Sequence, residues 1–287
     1  MNLFFIIGSQ KSGSTWLQRL LDSHPLMSCK GEGHFFDRAI APMAKVVADY
    51  NSIIGIANRT VYEGKGYYQG IHAKAFQQFA EAWVKREMRT VAQGKDAIWF
   101  GDKTPAYSFH LGAIRQICPE AKLLHIIRDG RDAAVSSYFH MQRVLKLNQE
   151  EHKLPEIHKI CASLIDRWAE FTGPCLAERT GPHRHLYHEI RYEDLKKDPQ
   201  SCLAETIGFL LGEDAHSDID TIARCIEEND FTAQKARLQD PSGLPFLRKG
   251  IVGDFHNHFE PEYLLHCKPG TLKLLRLLGY ADTPDRL

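Results

Sequence analysis

The sequence predicts an α/β fold built around a parallel sheet. Three short apolar runs, at residues 3–7, 97–100 and 123–127, have the length and content of buried strands. Each run is followed by a polar turn and then by residues with helical periodicity, which is the order found when a sheet is parallel. No Pro-, Ser- or Gly-rich linker divides the 287 residues. We therefore expect a single domain over residues 1–287.

The composition restricts the class of partner. Hydrophobic residues make up 43% of the chain and charged residues 25%, which is ordinary for a globular protein with a sizeable core. The 36 basic and 36 acidic residues balance, so nothing in the overall charge indicates a nucleic acid or a membrane surface. The longest apolar runs are far below the roughly 18 residues of a membrane-spanning helix. Seven scattered cysteines, without a C-x-x-C pair, favour reduced thiols and a cytoplasmic location.

The first strand leads into a loop suited to phosphate. After residues 3–7, a small polar loop at 8–13 precedes an amphipathic helix, so backbone N–H groups, hydroxyls and one lysine converge on a single point. A nucleoside-triphosphate loop would carry lysine directly after Gly13, but Ser14 stands there. The lysine is Lys11, a position that favours a 5′-phosphate. A plain glycine-rich turn between strand and helix remains the alternative. The candidate ligands are Lys11, Ser12, Gly13, Ser14 and Thr15.

The loop also carries a family resemblance. Its sequence QKSGSTW resembles the 5′-phosphosulfate loop PKSGTTW of sulfotransferases, with Gln10 in place of the usual proline. This family transfers a sulfuryl group from 3′-phosphoadenosine 5′-phosphosulfate (PAPS) to a hydroxyl or amine and releases PAP. The resemblance implies a P-loop-like three-layer α/β/α sandwich with a central parallel sheet. It also implies PAPS as co-substrate without a metal, and contact of Trp16 with adenine.

Glu32 and His34 are candidates for the chemistry. In an extended segment over residues 27–36 the two side chains would share one face beside the phosphate loop. GEGHFFD resembles the KEVHFFD segment of glycan 3-O-sulfotransferases, which implies that Glu32 is the catalytic base and His34 its orienting neighbour. An acid near a turn is, however, commonly just solvated. The following residues, 37–72, are predicted to be an irregular excursion, either a substrate cover or a surface insertion.

Lys103 follows the second predicted strand, 97–100. Ligands bind at the carboxyl ends of parallel strands, so its ammonium is placed to stabilise an anionic transition state. DKTPAY resembles EKTPAY of the glycan enzymes, whereas small-molecule enzymes have a base histidine where Pro105 stands. His110 is interpreted as a helix-surface residue. A helical stripe over residues 73–92 is interpreted as core packing.

Residues 122–137, KLLHIIRDGRDAAVSS, predict a second anion site. A buried strand at 123–127 places Arg128 at its carboxyl end, and a helix from Asp132 onward brings Ser136 back toward it. A guanidinium and a hydroxyl suit a dianionic phosphate. The pattern resembles the family's 3′-phosphate motif.

Three later segments complete the resemblance. After a predicted helix at 155–180 and a strand at 184–190, RYEDL implies that Tyr192 approaches adenine. In ENDF, Asn229 and Phe231 occupy places in the family's T-S-F element, whose phenylalanine sandwiches adenine against the tryptophan of the first loop, here Trp16. LRKGIVGDFHNHF resembles the signature that closes over the 3′-phosphate, which adds Leu247, Arg248, Lys249 and Gly250 to the predicted nucleotide site. Residues 240–252 are predicted to form a lid. His183, His185 and His188 lack metal-ligand spacing, so no metal is predicted.

The sequence therefore predicts a PAPS-dependent sulfotransferase acting on a hydroxyl of a small molecule or carbohydrate. Two alternatives belong to other classes. A P-loop kinase would bind ATP with magnesium, and a non-catalytic nucleotide-binding module would keep Arg128 and Ser136 without needing a base. The acceptor and the oligomeric state are open at this point.

Overall fold

The strands and helices are described for residues 1–92, 94–212, 218–230 and 250–280 in a computed structural model. Five parallel strands form a sheet in the order β2-β3-β1-β4-β5. They are β1 (Asn2–Ile7), β2 (Met27–Cys29), β3 (Trp99–Lys103), β4 (Lys122–Ile127) and β5 (Tyr187–Arg191). The α-helices are α1 (Ser14–Ser23), α2 (Ala41–Thr60), α3 (Ala73–Val91), α4 (Leu111–Ile117), α5 (Gly130–Leu147), α6 (Ile157–Cys175), α7 (Tyr192–Lys197), α8 (Pro199–Leu211), α9 (Ile219–Glu228) and α10 (Pro269–Leu277).

Both faces of the sheet are covered by helices. Side chains alternate along β1, so Leu3, Phe5 and Ile7 pack with α3 and α4, whereas Phe4 and Ile6 pack with α1, α8 and α9. A strand buried on both faces needs apolar residues at every position, which is why β1 reads as one continuous apolar run. The predicted three-layer α/β/α sandwich with a central parallel sheet is confirmed. A third apolar cluster joins α5, α6 and α10.

The topology brings the predicted site residues to one edge of the sheet. β1 lies between β3 and β4, with Ile6 opposite Lys103 and Ile7 opposite His125. The chain first crosses to β2 and β3 on one side of β1 and then to β4 and β5 on the other. The carboxyl end of β1 is thus a topological switch point, where open α/β sheets bind ligands.

The segment over residues 37–72 differs from its prediction. Instead of an irregular excursion, a π-helix at Phe35–Ile40 runs directly into α2, which spans Ala41–Thr60. Pro42 lies in the first turn of α2, where its fixed φ suits the helix. The glycines that indicated a loop, except Gly55, lie beyond the helix. No residue of α2 is buried, so the segment lacks the strong apolar stripe that identifies a core helix.

The observed boundaries of two strands and one helix also differ from the predicted ones. The strand predicted at 97–100 runs over Trp99–Lys103, because Asp102 and Lys103 pair with Phe5 and Ile6 in the sheet despite their polar side chains. The strand predicted at 184–190 is preceded by a 3₁₀ turn at Arg184–Leu186 and spans Tyr187–Arg191. The long helix predicted at 155–180 ends as α6 at Cys175, where a 3₁₀ turn follows. The predicted helix over 73–92 is confirmed as Ala73–Val91.

Candidate active site

The phosphate loop connects β1 to α1. Gly8, Lys11 and Gly13 all adopt positive φ angles, of 125°, 64° and 94°, which turn the backbone tightly enough to direct it back into α1. The Gly8 N–H donates to the Ser108 hydroxyl at 3.2 Å and so anchors the loop to the turn after β3. Among the described residues, no side chain caps the N-terminus of α1. Its first N–H groups can therefore donate hydrogen bonds to an anion.

A side chain at Gly13 would collide with the Tyr192 ring. A Cβ at this position would lie 2.4 Å from Cδ2 of Tyr192, and the φ of 94° is itself a glycine conformation. The loop backbone and the Tyr192 ring are therefore in direct contact. Trp16 meets the same ring edge-on, with 6.1 Å between the ring centres.

The polar groups of the loop include a buried donor with no partner. Ser12 is fully buried, and its hydroxyl has no hydrogen-bond partner among the described residues. A buried hydroxyl left in this state costs free energy unless something binds it. Lys11 lies in the same loop, where burial, and then the charges of Arg143, Lys103 and Arg128, lower its pKa to about 8. A site that raises the cost of positive charge in this way favours an anion.

Arg128 stands one residue beyond β4 and links three segments. Its Nη1 donates to the Lys11 carbonyl at 3.3 Å and its Nη2 to the Ile251 carbonyl at 3.0 Å, while its guanidinium carbon lies 4.5 Å from the centre of the Tyr192 ring. Its buried Nε has no partner among the described residues. Arg128 therefore still has a donor to offer beside the phosphate loop.

Asp132 fastens the segment after residue 250 over this arginine. Its carboxylate accepts the N–H of Gly253 at 2.8 Å and that of Phe255 at 3.0 Å, and one oxygen lies 3.5 Å from Nη2 of Arg128. The side chain of Asp132 is wholly buried. Gly250 is thereby brought to the Arg128 side of the site. Ser136 lies one helical turn further along α5 and is half-buried.

Glu32 and Lys103 form an ion pair at the ends of β2 and β3. The Lys103 ammonium, 7% exposed, donates to Oε1 of Glu32, and Nε2 of His34 lies 3.4 Å from Oε2. Nδ1 of His34 in turn lies 2.9 Å from the Asp37 carboxylate. The Glu32 side chain is 41% exposed, so it remains open to a ligand. Glu32 is thus in contact with both an ammonium and an imidazole, an arrangement suited to general acid–base chemistry.

Glu32 and His34 are close together, but not because they lie on one extended strand as predicted. β2 ends at Cys29, and His34 has a left-handed φ of 50°, so the two residues do not share one face of a strand. The Asp102 carboxylate instead holds the segment by accepting the Gly33 N–H at 2.6 Å, and the Tyr107 hydroxyl accepts the Phe35 N–H at 2.9 Å. Glu32 is therefore positioned by tertiary contacts with the end of β3 and the turn after it. Sequence spacing does not reveal these contacts.

Trp16 and Asn229 meet although they are far apart in sequence. The indole Nε1 of Trp16 donates to the Asn229 carbonyl at 3.2 Å, and the buried Asn229 side chain donates to the Ser23 hydroxyl at 2.6 Å. The partly buried Trp16 ring and the buried Tyr192 ring thus form an aromatic corner beside the loop. Phe231, Leu247, Arg248 and Lys249, as well as most of the predicted lid 240–252, lie outside the described residues.

Several residues of the site had no assignment from sequence. Tyr107, Ser108 and Asp102 anchor the loop segments, and Asp132 holds the later segment in place. The position of Tyr107 and Ser108 indicates a role in the site, because the segment PAYS directly follows Lys103 and Thr104 at a strand end. The sequence places Asp132 only at the start of a helix, and its contacts with Gly253 and Phe255 reveal its burial.

Two features of the described residues bear on membranes and metal ions. In the described part of the chain, no helix is both long enough and apolar enough to cross a membrane. Across the same residues, no cluster of three or more His, Cys, Asp or Glu side chains is arranged to hold a metal ion.

Solved structures share this architecture. A mouse sulfotransferase complexed with PAP superposes with a TM-score of 0.55 at 15% identity, covering 98% of this chain and 89% of that one. The sulfotransferase domain of a Synechococcus olefin synthase superposes with a TM-score of 0.52 at 19% identity, covering 99% and 96%. At these identities the likeness concerns the fold.

Sequence relatives and a family model identify the family of this chain. Sulfotransferase 1B1 of Mus musculus is 30% identical over 151 residues, 49% of each chain. Sulfotransferase 1 family member D1 of Rattus norvegicus is 28% identical over 174 residues, 54% of this chain and 57% of that protein. The chain thus spans about half the length of the curated relatives it matches. The model of the sulfotransferase family matches residues 4–213, which begin within β1 and extend just beyond α8. The chain belongs to the sulfotransferase family.

Proposed function

We propose that this protein transfers the sulfuryl group of PAPS to a hydroxyl of a small molecule or carbohydrate, and releases PAP. The observation that carries the proposal is the position of two lysines and a glutamate around one anion loop. Lys11 lies in the loop, Lys103 lies close enough to lower its pKa, and Lys103 is paired with Glu32. Positive charge and a base are therefore side by side where the transferred group would lie.

The residues of the site fit a nucleotide with two phosphate groups. The buried Ser12 hydroxyl and the uncapped start of α1 suit the 5′-phosphosulfate end, and the unpartnered Nε of Arg128 suits the 3′-phosphate. Trp16 and Tyr192 offer flat faces for adenine. We assign Ser136, Asn229 and Gly250 to the same site. The sequence resemblance adds Phe231, Leu247, Arg248 and Lys249.

The reaction needs a base and charge stabilisation. The acceptor oxygen bonds to sulfur while the bond from sulfur to the donor's phosphate oxygen breaks, and the hydroxyl proton passes to the Glu32 carboxylate. Lys11 and Lys103 offset the negative charge on the oxygens around sulfur, and His34 orients Glu32. Since Glu32 is held by contacts with the end of β3, its carboxylate is positioned before the acceptor binds.

Two broader assignments accompany this function. We infer that residues 1–287 act as one domain, because the site draws on β1, β3, β4 and the segment after residue 250. A cytoplasmic location is supported by the cysteines, which are all unpaired.

Calorimetry and turnover test the function. PAP should bind tightly without a metal, whereas ATP with magnesium should bind weakly, because no lysine follows Gly13 to reach a γ-phosphate. Preferential binding of magnesium–ATP would favour a kinase instead. Consumption of PAPS with a panel of phenols, alkyl alcohols, steroids and glycans then tests catalysis. Binding of PAP without turnover of any acceptor would indicate a non-catalytic nucleotide-binding module.

A further inference from the structure

A cavity of about 150 Å³ lies next to the phosphate loop, between the loop, α5 and α6. The loop contributes Lys11, α5 contributes Ser137 and His140, and α6 contributes Arg167 and Trp168. Lys11 therefore belongs both to this cavity and to the anion loop. A molecule in the cavity would lie in contact with the residue that faces the transferred group.

The ionisable side chains that line the cavity are all basic, and Ser9, Gln10 and Ser137 add neutral polar groups. Lys11, His140 and Arg167 line it, and no acidic residue of the described chain does so. Arg143 is close by, since its charge lowers the pKa of both Lys11 and His140. For His140, burial is the larger cause, and the pKa falls to about 4, so its imidazole is neutral near pH 7 and can donate or accept a hydrogen bond.

The acidic residues nearest in sequence on α6 are directed elsewhere. The Asp166 carboxylate accepts from the Thr271 hydroxyl at 2.6 Å and the Lys268 N–H at 2.9 Å, while Glu170 pairs with the Lys268 ammonium at 3.0 Å. Both therefore serve the contact of α6 with α10. Positive charge at the cavity is consequently not matched by these two neighbours of Arg167.

The apolar part of the lining comes from α5 and α6. Trp168 and Phe171 supply aromatic surface, and Met141 and Leu164 supply flexible aliphatic surface. The Arg167 guanidinium lies 5.1 Å from the centre of the Phe171 ring, and its side chain reaches solvent, so it stands at the cavity opening. A cavity of roughly 150 Å³ is large enough for a single benzene-sized ring.

We infer that this cavity binds the acceptor and selects a small hydroxylated molecule that carries a carboxylate or a similar anionic group. The hydroxyl lies beside Lys11, a ring-sized body packs between Trp168 and Phe171, and the anionic group faces Arg167. This inference rests on the proposed sulfuryl transfer for its biological meaning, but the charge selection it describes is a binding property. The inference restricts the acceptor from any hydroxyl compound to an anionic hydroxyl compound about the size of one ring.

Binding to the PAP complex tests the charge selection without turnover. By calorimetry, para-hydroxybenzoate should bind the complex about tenfold more tightly than its neutral isostere para-hydroxybenzamide, the effect of one charge-assisted hydrogen bond. Equal affinity, or tighter binding of the amide, would overturn the inference even if PAPS is consumed with other acceptors. Failure of PAPS consumption, with the charge preference intact, would instead reject the proposed activity.

Two matched variants on α6 test whether Arg167 causes the preference for the anionic ligand. Arg167→Gln should abolish the tenfold preference by weakening only the carboxylate ligand. Lys159→Gln removes an exposed charge from the same helix, outside the cavity, and should leave the preference intact. Retention of the preference in Arg167→Gln would overturn the assignment. An equal loss of PAP affinity in that variant would show that the cavity serves the nucleotide, which also overturns it.

Discussion

The carboxylate of Asp132 accepts the backbone N–H of Phe255 at 3.0 Å, and this bond connects α5 to a segment 123 residues later in the chain. The same carboxylate faces Arg128 and accepts the Gly253 N–H. One buried acid therefore holds both the arginine and the segment that crosses it. Its removal would leave a buried guanidinium and two buried N–H groups without this partner.

Asp132→Ala should accordingly lower the free energy of unfolding by about 3–5 kcal/mol, the range for breaking a buried ion pair by removing one partner. Urea denaturation measures this loss. Glu150→Ala, which removes an exposed pair with Lys153 on the surface, should change stability by less than about 1 kcal/mol. Similar losses in the two variants would contradict the structural role of Asp132.

Arg128→Ala should weaken PAP binding by about 1.5–3 kcal/mol, because a hydrogen bond to a charged group is lost. Adenosine 5′-phosphosulfate lacks the 3′-phosphate and should bind the variant and the native protein alike. Calorimetric titration with both nucleotides makes the comparison. An equal loss for both would mean that Arg128 acts through the Lys11 and Ile251 carbonyls that it holds, and not through the 3′-phosphate.

PAP binding should take up protons above about pH 8, where the buried Lys11 of the free protein loses its charge. An anionic ligand favours the charged form, so it raises the pKa toward the ordinary value of 10.5, and PAP affinity falls as the pH rises between these values. The unfolded chain also binds more protons at Lys11 in this window, so this residue's contribution to the free energy of unfolding rises with pH.

Calorimetry in buffers of different ionisation heat measures that proton uptake. Lys11→Arg should show little uptake, because a guanidinium stays charged throughout the range. Undiminished uptake in the arginine variant would assign the titration to another group.

Glu32→Gln should lower kcat by roughly 10²–10⁴-fold, the usual contribution of general-base catalysis, while PAP affinity barely changes. The amide keeps the shape of the side chain but cannot take a proton. His34→Ala should cost less, since His34 contacts Glu32 through Nε2 and is assigned to its orientation. Near-normal turnover by Glu32→Gln, together with inactive His34→Ala or His110→Ala, would identify a histidine as the base.

Gly13→Ala should destabilise the protein by about 1–3 kcal/mol, because the new Cβ meets the Tyr192 ring and the φ of 94° is strained for alanine. Gly112→Ala is the matched control, since a Cβ at this position in α4 meets nothing within 4 Å. Thermal or urea denaturation should show the loss only for Gly13. Unchanged stability of Gly13→Ala would mean that the loop does not press against Tyr192.

The sequence by itself determined the parallel sheet and the residues at its carboxyl edge. β1 and β4 are buried on both faces, so each reads as a continuous apolar run, and the polar residues that end these runs identify Lys11 and Arg128. The end of β3 could not be predicted from the apolar pattern, because Asp102 and Lys103 are polar residues inside a strand. The helix α2 was missed because none of its residues is buried, which removes the contrast that periodicity requires.

Only the tertiary structure decided how distant segments meet. Glu32 reaches Lys103 because Asp102 and Tyr107 hold the backbone at Gly33 and Phe35, contacts that span about 70 residues. The burial of Asp132 and the cavity between α5 and α6 likewise depend on packing between elements far apart in the chain. Local sequence encodes propensity and periodicity, whereas these contacts arise only when the sheet brings the strand ends together.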